Sequence, residues 1–469
     1  MQGARLTLVA AADAIARGDI SSVELTREML ARAQRLNATL NCFIRIDEEA
    51  ALAAAAAADA ARAAGRPLGP LHGVPIAVKD MYYDADRVSN CGSQVRRGYR
   101  PGATGGALAR VYAAGAVNLG VLNMTEFALG PTGHNAFYGH CRNPWNPVHI
   151  AGGSSSGSGA SARRAARVRH ARVGHRRLDP PARRGQRRAG HEGDLRARDA
   201  RRRDAFSPWM DHLGPLARTA RDCARLLRVL AGHDPADVTT SRRAVPDYEA
   251  GLGRGIDGLR IGVPRNYYWD GVTADVHAAL QAALRALEAG GARIVELEVP
   301  APGHLTELSR AVVYAEAAAQ HGHWLRTRAQ EYSPQVRARA ATGAAIPAAS
   351  YLEALQLRPL LLRRFVEGVY AQCDVLFTPT LVIPVPTLEE TDVGGSAAMW
   401  NVIARLVQCT APFNYLGVPA LAVPAGFAGN GLPVSFQLVG RPFAEGLLLR
   451  VAAAYQGMTD WHERLPPVA

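Results

Sequence analysis

Lysine is almost missing from this sequence. Of the 54 basic residues only Lys79 is a lysine, and all the others are arginine. The bias fits GC-rich coding, in which lysine codons are scarce. It also singles out Lys79, because arginine stays protonated and cannot serve as a base, whereas lysine can. The plainer account is that one lysine survived by chance.

Cysteine pairs are missing as well. Cys42, Cys91, Cys141, Cys223, Cys373 and Cys409 lie far apart and form no CxxC pair, which speaks against a disulfide framework or a zinc site. His321 and His323 flank a glycine with no further ligand at metal spacing, and they read as surface residues of a helix. No apolar run approaches the roughly 20 residues of a membrane helix, and no basic-then-apolar leader opens the chain. The expectation is a soluble, cytoplasmic protein with no metal, no cofactor and no membrane partner.

What is present is a chain of 469 residues, 48% of them apolar. That is enough for a substantial core, and it excludes wholesale disorder; the length allows about three domains or one large one. The net charge of +13 is unevenly spread. Residues 161–204 hold 16 arginines against five acids, a net +11, which leaves +2 for everything else. This stretch has no helical or strand periodicity, and it contains Pro180-Pro181 and the run Arg201 to Arg203. Taken literally it is a disordered basic insert.

The remaining chain is regular. Residues 5–65 read as helical, with Ser21 and Glu24 spaced as a capping box and a strong helix former from Ala51 to Ala64. After a break at Gly65 to Pro70, Val74 to Val78 reads as a buried strand leading to Lys79-Asp80. Ala107 to Ala114 reads as a helix and Ala116 to Leu122 as a strand. An irregular stretch rich in glycine, proline and asparagine follows, from Gly130 to Gly153, and loops of that kind often carry function. Leu259 to Val263, Ala274 to Ala289 and Arg293 to Val299 read as strand, helix and strand, a parallel crossover. Val375 to Phe377 and Ala420 to Val423 read as further buried strands. The pattern predicts an α/β fold.

Gly152-Gly153-Ser154-Ser155-Ser156-Gly157-Ser158 is a dense glycine–serine loop. By itself it could be a linker, and no GKS or GKT follows to support phosphate cradling. Its neighbours change the reading. The run Gly69 to Asp80 (GPLHGVPIAVKD), Asn123 to Phe127 (NMTEF), Asn143 to Pro147 (NPWNP) and the serine loop together resemble the amidase signature family. Asp211 to Thr219 (DHLGPLART), Pro412-Phe413-Asn414 and Leu432 to Gly440 (LPVSFQLVG) agree in order and type. The resemblance covers nearly the whole chain outside 161–204. It implies a central mixed sheet covered by helices on both faces. In domain terms it implies an N-terminal helical part, 1–65, and an amidase signature α/β domain, 66–469.

That family works through a serine–serine–lysine triad. Carried over, the resemblance makes Lys79 the base and Ser154 the bridging serine, held by a non-proline cis peptide. A lysine kept neutral by burial can draw a proton through Ser154 from a second, nucleophilic serine. Backbone N–H groups of the nucleophile loop would hold the oxyanion. The resemblance places that nucleophile at position 178, in a motif like DTGGSIR, but Gly174 to Pro180 reads GHRRLDP with Leu178 where the serine belongs. Leucine has no nucleophilic atom.

A shifted reading frame accounts for this. The seven residues can be encoded as GGA CAC CGG CGG CTC GAT CCG. Dropping the first base and reading on through the next proline codon yields DTGGSIR. The same shift from Arg188 onward can give VLGTKATYGRV, again like the family. The register is unchanged on both sides, so two compensating single-base shifts, near 161 and near 204, suffice. They also explain the arginines, since shifted GC-rich codons often read as arginine.

Three functions are open at this point. The first is an amidase hydrolysing a small-molecule carboxylic amide to acid and ammonia, inactive or impaired as written. The second, within the family, is the A subunit of the tRNA-dependent amidotransferase, acting with partner subunits. The third is a non-catalytic basic protein binding nucleic acid through 161–204, which lacks interleaved aromatics and a recognisable binding fold. A homodimer is compatible with the first. Residues 161–204 are expected to loop outward, because burying 16 arginines without partners would be prohibitive.

Overall fold

The computed structural model describes residues 6–161, 167–169, 207–235, 237 and 240–467, with only the backbone of 167–169. The N-terminal segment begins with the helix Leu8–Arg17, whose Thr7 cap accepts the Ala10 N–H and which stops at Gly18, φ 82°. The helix Ser22–Leu40 opens with the expected capping box: Ser21 Oγ accepts the Glu24 N–H at 3.0 Å, and the Glu24 carboxylate accepts the Ser21 N–H at 2.9 Å. The alanine-rich helix Glu48–Ala63 buries Ala51, Ala55 and Ala58, one helical stripe. Between these helices the segment read as wholly helical contains a strand, β1 (Phe43–Ile46). Its FIRI sequence is rich in β-branched and aromatic residues, and pairing with a distant strand outweighs the helical context.

That distant strand is β3 (Val117–Leu122), which runs antiparallel to β1 and parallel to β2 (Pro75–Lys79). The order β1-β3-β2 makes a small mixed sheet. Every residue of β2 and β3 is buried, as expected of strands covered on both faces.

A five-stranded mixed sheet forms the other half. Here β6 (Arg260–Pro264), β7 (Arg293–Leu297) and β8 (Val375–Pro379) are parallel, while β9 (Ala420–Phe427) and β10 (Pro433–Val439) complete it antiparallel, in the order β7-β6-β8-β10-β9. The helix Ala274–Ala289 makes the crossover from β6 to β7. Alternation along β8 sorts its side chains onto two faces. Val375 and Phe377 join a core with Leu280, Leu287, Leu448 and Tyr455, from helices Ala274–Ala289 and Glu445–Met458. Leu376 joins a second core with Val312, Leu362, Phe365 and Phe413, from helices on the opposite face. Helices thus cover both faces of this sheet.

One short strand lies inside the arginine-rich stretch and pairs with one beyond it. β4 (Arg167–Arg169) pairs antiparallel with β5 (Gly214–Leu216). Strand structure was not expected at 167–169, and side-chain periodicity could not reveal it, because a three-residue pairing rests on backbone hydrogen bonds to its partner. Residues 170–206, with Leu178, lie outside the described residues, and so does the expectation that this stretch loops outward.

His321 departs from its reading as a surface residue. It sits on the inward face of the long helix Pro302–Thr327, 4% exposed, with Nδ1 2.9 Å from the Tyr332 hydroxyl and its ring edge against Phe127. Burial pulls its pKa down to about 4, so the ring is neutral at pH 7. His323 is exposed as expected. All six cysteines are buried. No helix among the described residues is long and apolar enough to cross a membrane.

Candidate active site

Strand β2 delivers Lys79 at its C-terminal end, fully buried. Alongside it, β3 ends at Leu122 and passes into Asn123-Met124-Thr125. Asn123 fixes this exit, with its amide donating to the carbonyls of Asn41 at 2.9 Å and Gly139 at 3.0 Å.

The glycine–serine loop is stitched onto that exit. The Thr125 N–H donates to the Ser154 carbonyl at 2.9 Å, Gly153 N–H to Pro131 at 2.6 Å, and Gly157 N–H to Asn123 at 2.8 Å. Two of its glycines are required by close approach. A Cβ on Gly153 would lie 2.5 Å from the Gly130 carbonyl oxygen, and one on Gly157 would lie 2.2 Å from that of Cys42. The loop is therefore a packed element, not a linker. The Gly153–Ser154 peptide is cis.

These constraints bring together two residues 75 positions apart. Lys79 Nζ donates to Ser154 Oγ at 2.8 Å. The neighbouring Asp80 faces away into its own niche, accepting N–H groups of Gly92 at 2.8 Å and Asn90 at 3.2 Å. Burial raises its pKa to about 7, against those two hydrogen bonds. The hydroxyls of Ser156 and Ser158 are buried with no hydrogen-bond partner among the described residues, and Ser161 donates to the Gly157 carbonyl.

Ser154 opens into a cavity of about 630 Å³. Gly130, Pro131, Gly152 and Gly153 line it near the pair; Trp145, Leu381, Val385, Leu406, Val407 and Leu421 give it an apolar wall. Arg339 also lines it, from the helix Pro334–Thr342, with one nitrogen donating to the Leu129 carbonyl at 2.8 Å. Sequence reasoning missed Arg339, since one arginine among so many carries no distinguishing signal. It also missed Glu126, which accepts from the hydroxyls of Ser93 and Ser333, both at 2.6 Å, and so ties the NMTEF turn to the helical region near 333. Burial raises the Glu126 pKa to about 7 despite these donors.

Sequence spacing also gave no hint that His134, His140 and Asp392 converge, each with a ligand-type atom within 4.8 Å of the others. Thr391 donates its hydroxyl to the Thr387 carbonyl at 2.8 Å, so His134 Nε2 carries the hydrogen of their 2.9 Å contact. His140 Nδ1 accepts the Asn135 N–H at 3.1 Å, which leaves its own hydrogen on Nε2. Only one imidazole lone pair, on His134 Nδ1, then remains, too few for a two-histidine metal centre.

The sequence profile of the Amidase family matches residues 24–167 and 199–449. The unmatched interval lies inside the arginine-rich stretch. The chain is 37% identical over 494 residues to the A subunit of the glutamyl-tRNA(Gln) amidotransferase of Chloroflexus aurantiacus, covering 98% of each protein. Among solved structures it is similar to one described as a vestigial protein complex revealing the evolutionary origins of an s-triazine catabolic enzyme. The TM-score there is 0.84 at 28% identity, over 96% of this chain and 98% of that one. It shares its fold with a 6-aminohexanoate cyclic dimer hydrolase, with a TM-score of 0.83 at 22% identity over 99% of each chain.

Proposed function

The chain belongs to the amidase family, whose members hydrolyse amide C–N bonds, and from that premise we propose that it is an amide hydrolase whose nucleophile has been lost to a local frame shift. The observation that carries this reading is the 2.8 Å contact between Lys79 Nζ and Ser154 Oγ inside a buried, cavity-facing loop.

In the frame-restored chain the serine at position 178 attacks the amide carbonyl carbon. Its proton passes to Ser154, and the Ser154 proton passes to the neutral Lys79 amine. The tetrahedral intermediate then expels ammonia, which takes its proton back along the same relay, leaving an acyl-enzyme. Water deacylates it and frees the acid. In the chain as written Leu178 supplies no nucleophile, and Ser156 and Ser158 are not hydrogen-bonded to the pair. The first step therefore fails.

The test is hydrolysis of a panel of amides by the chain as written and by the frame-restored chain. Activity confined to the restored chain supports the reading; equal activity in both sinks it. Gene codons incompatible with a shifted DTGGSIR would separately remove the frame-shift explanation.

A second reading has a specific observation behind it. The Chloroflexus relative is named as one subunit of an amidotransferase, and this favours the A subunit of such an enzyme over a free-standing amidase. On that reading the chain works with partner subunits. Co-purification of a partner, with glutamine hydrolysis dependent on it, would decide for this reading.

A further inference from the structure

The cavity at Ser154 has a charge pattern of its own. Its described lining residues include Arg218, Arg339, Arg464 and His462, and among the described residues that line it there is no aspartate or glutamate. Asp460 and Glu463 are not among those lining residues, but Asp460 pairs with Arg464 at 3.2 Å and Glu463 lies 3.8 Å from His462. Arg339 is buried, and its Nε has no hydrogen-bond partner among the described residues. The same cavity is also lined by the apolar Trp145, Leu381 and Val385.

An ammonium group entering such a cavity loses its hydration and finds, among the described lining residues, no carboxylate to replace it and the buried Arg339 guanidinium as like charge. Taking a charge out of water without a partner is strongly unfavourable. A neutral apolar body gains from the wall, and an anionic end finds a guanidinium able to donate to it.

We infer that this cavity selects amides without a free α-ammonium group, and so discriminates against zwitterionic amino-acid amides such as glutamine. The inference rests on the proposed amide-hydrolase reading and names its substrate class. Glutamine and glutaramate make a matched pair, identical except that glutaramate lacks the α-amino group. Phenylacetamide supplies the neutral, apolar arm.

Binding to the chain as written is measured by titration calorimetry, which needs no nucleophile. Hydrolysis of the same three amides is measured with the frame-restored chain. Glutaramate and phenylacetamide are expected to bind at least 10-fold more tightly than glutamine, and kcat/KM in the restored chain is expected to follow the same order. Val385→Asp, which places a carboxylate in the lining, is expected to narrow the glutamine-to-glutaramate gap. Glutamine binding as tightly as glutaramate would overturn the inference, and so would failure of both other amides to bind at millimolar concentration. Selective binding by the written chain with no hydrolysis by the restored one would uphold the selectivity and defeat the hydrolase reading.

Discussion

Two stretches of this chain meet very different fates. Residues 69–161 form the buried strand ending in Lys79, the turn after β3 and the packed serine loop. The stretch 161–204 holds 16 arginines, and Leu178 stands where the resemblance places a serine. Family matching breaks off after 167 and resumes at 199. On the proposed reading, the two halves of the catalytic apparatus sit in these two different stretches. Lys79 and Ser154 are held by β2, β3 and the 123–135 turn, so on the proposed reading one half can persist while the other is gone.

The sharpest way to break this comparison acts on the intact half. In the frame-restored chain, Lys79→Met is expected to lower amide hydrolysis by about 10³-fold or more, and Ser154→Ala by about 10²-fold. Lys79→Arg is not expected to rescue it, since a guanidinium stays protonated. Initial-rate assays check all three. Rates within a few-fold of the parent would show that the Lys79–Ser154 pair is not the proton relay.

Next comes Gly157→Ala, which drives a Cβ into the Cys42 carbonyl oxygen and the Asn123 backbone. We expect a loss of roughly 2–4 kcal/mol in urea unfolding, equal in the written and restored chains. An effect confined to the restored chain would mean that the serine loop depends on the downstream stretch after all.

A comparable effect is expected from pH at Glu445, far from both stretches. Burial raises its pKa from 4.5 to about 7, and its Oε1 has no hydrogen-bond partner. The folded state then binds more protons than the unfolded state between those values, so this group's contribution to stability falls as pH rises through that window and levels above it. The loss is on the order of 3 kcal/mol. Glu445→Gln should flatten it, as read from urea midpoints at pH 5 and pH 8. The smallest effect belongs to Ser21→Ala, which removes the capping box and should cost about 1 kcal/mol, visible as a lowered Tm.

Much of this architecture could be read from the sequence, and for physical reasons. The helix Ala274–Ala289 and the strands around it are encoded locally, by periodicity and by the Gly290-Gly291 stop. The capping box at Ser21 is local too. Lys79 and Ser154 needed the family motifs, because nothing short-range links residues 75 positions apart. What stayed hidden depends on distant partners. β1 is a strand because β3 offers it an edge, His321 is buried because Phe127 and Tyr332 close over it, and Arg339 enters the cavity from a helix over 170 residues beyond Ser154. No pattern within one segment records such meetings.

The most direct test of the central claim, an intact Lys79–Ser154 pair without a nucleophile, is labelling by a serine-reactive fluorophosphonate followed by peptide mass mapping. The account predicts one label on the frame-restored chain, at position 178 and lost with Lys79→Met, and none on the chain as written. A label on the written chain at Ser154, Ser155, Ser156 or Ser158 would contradict it, by placing the nucleophile in the loop that we assign to proton transfer.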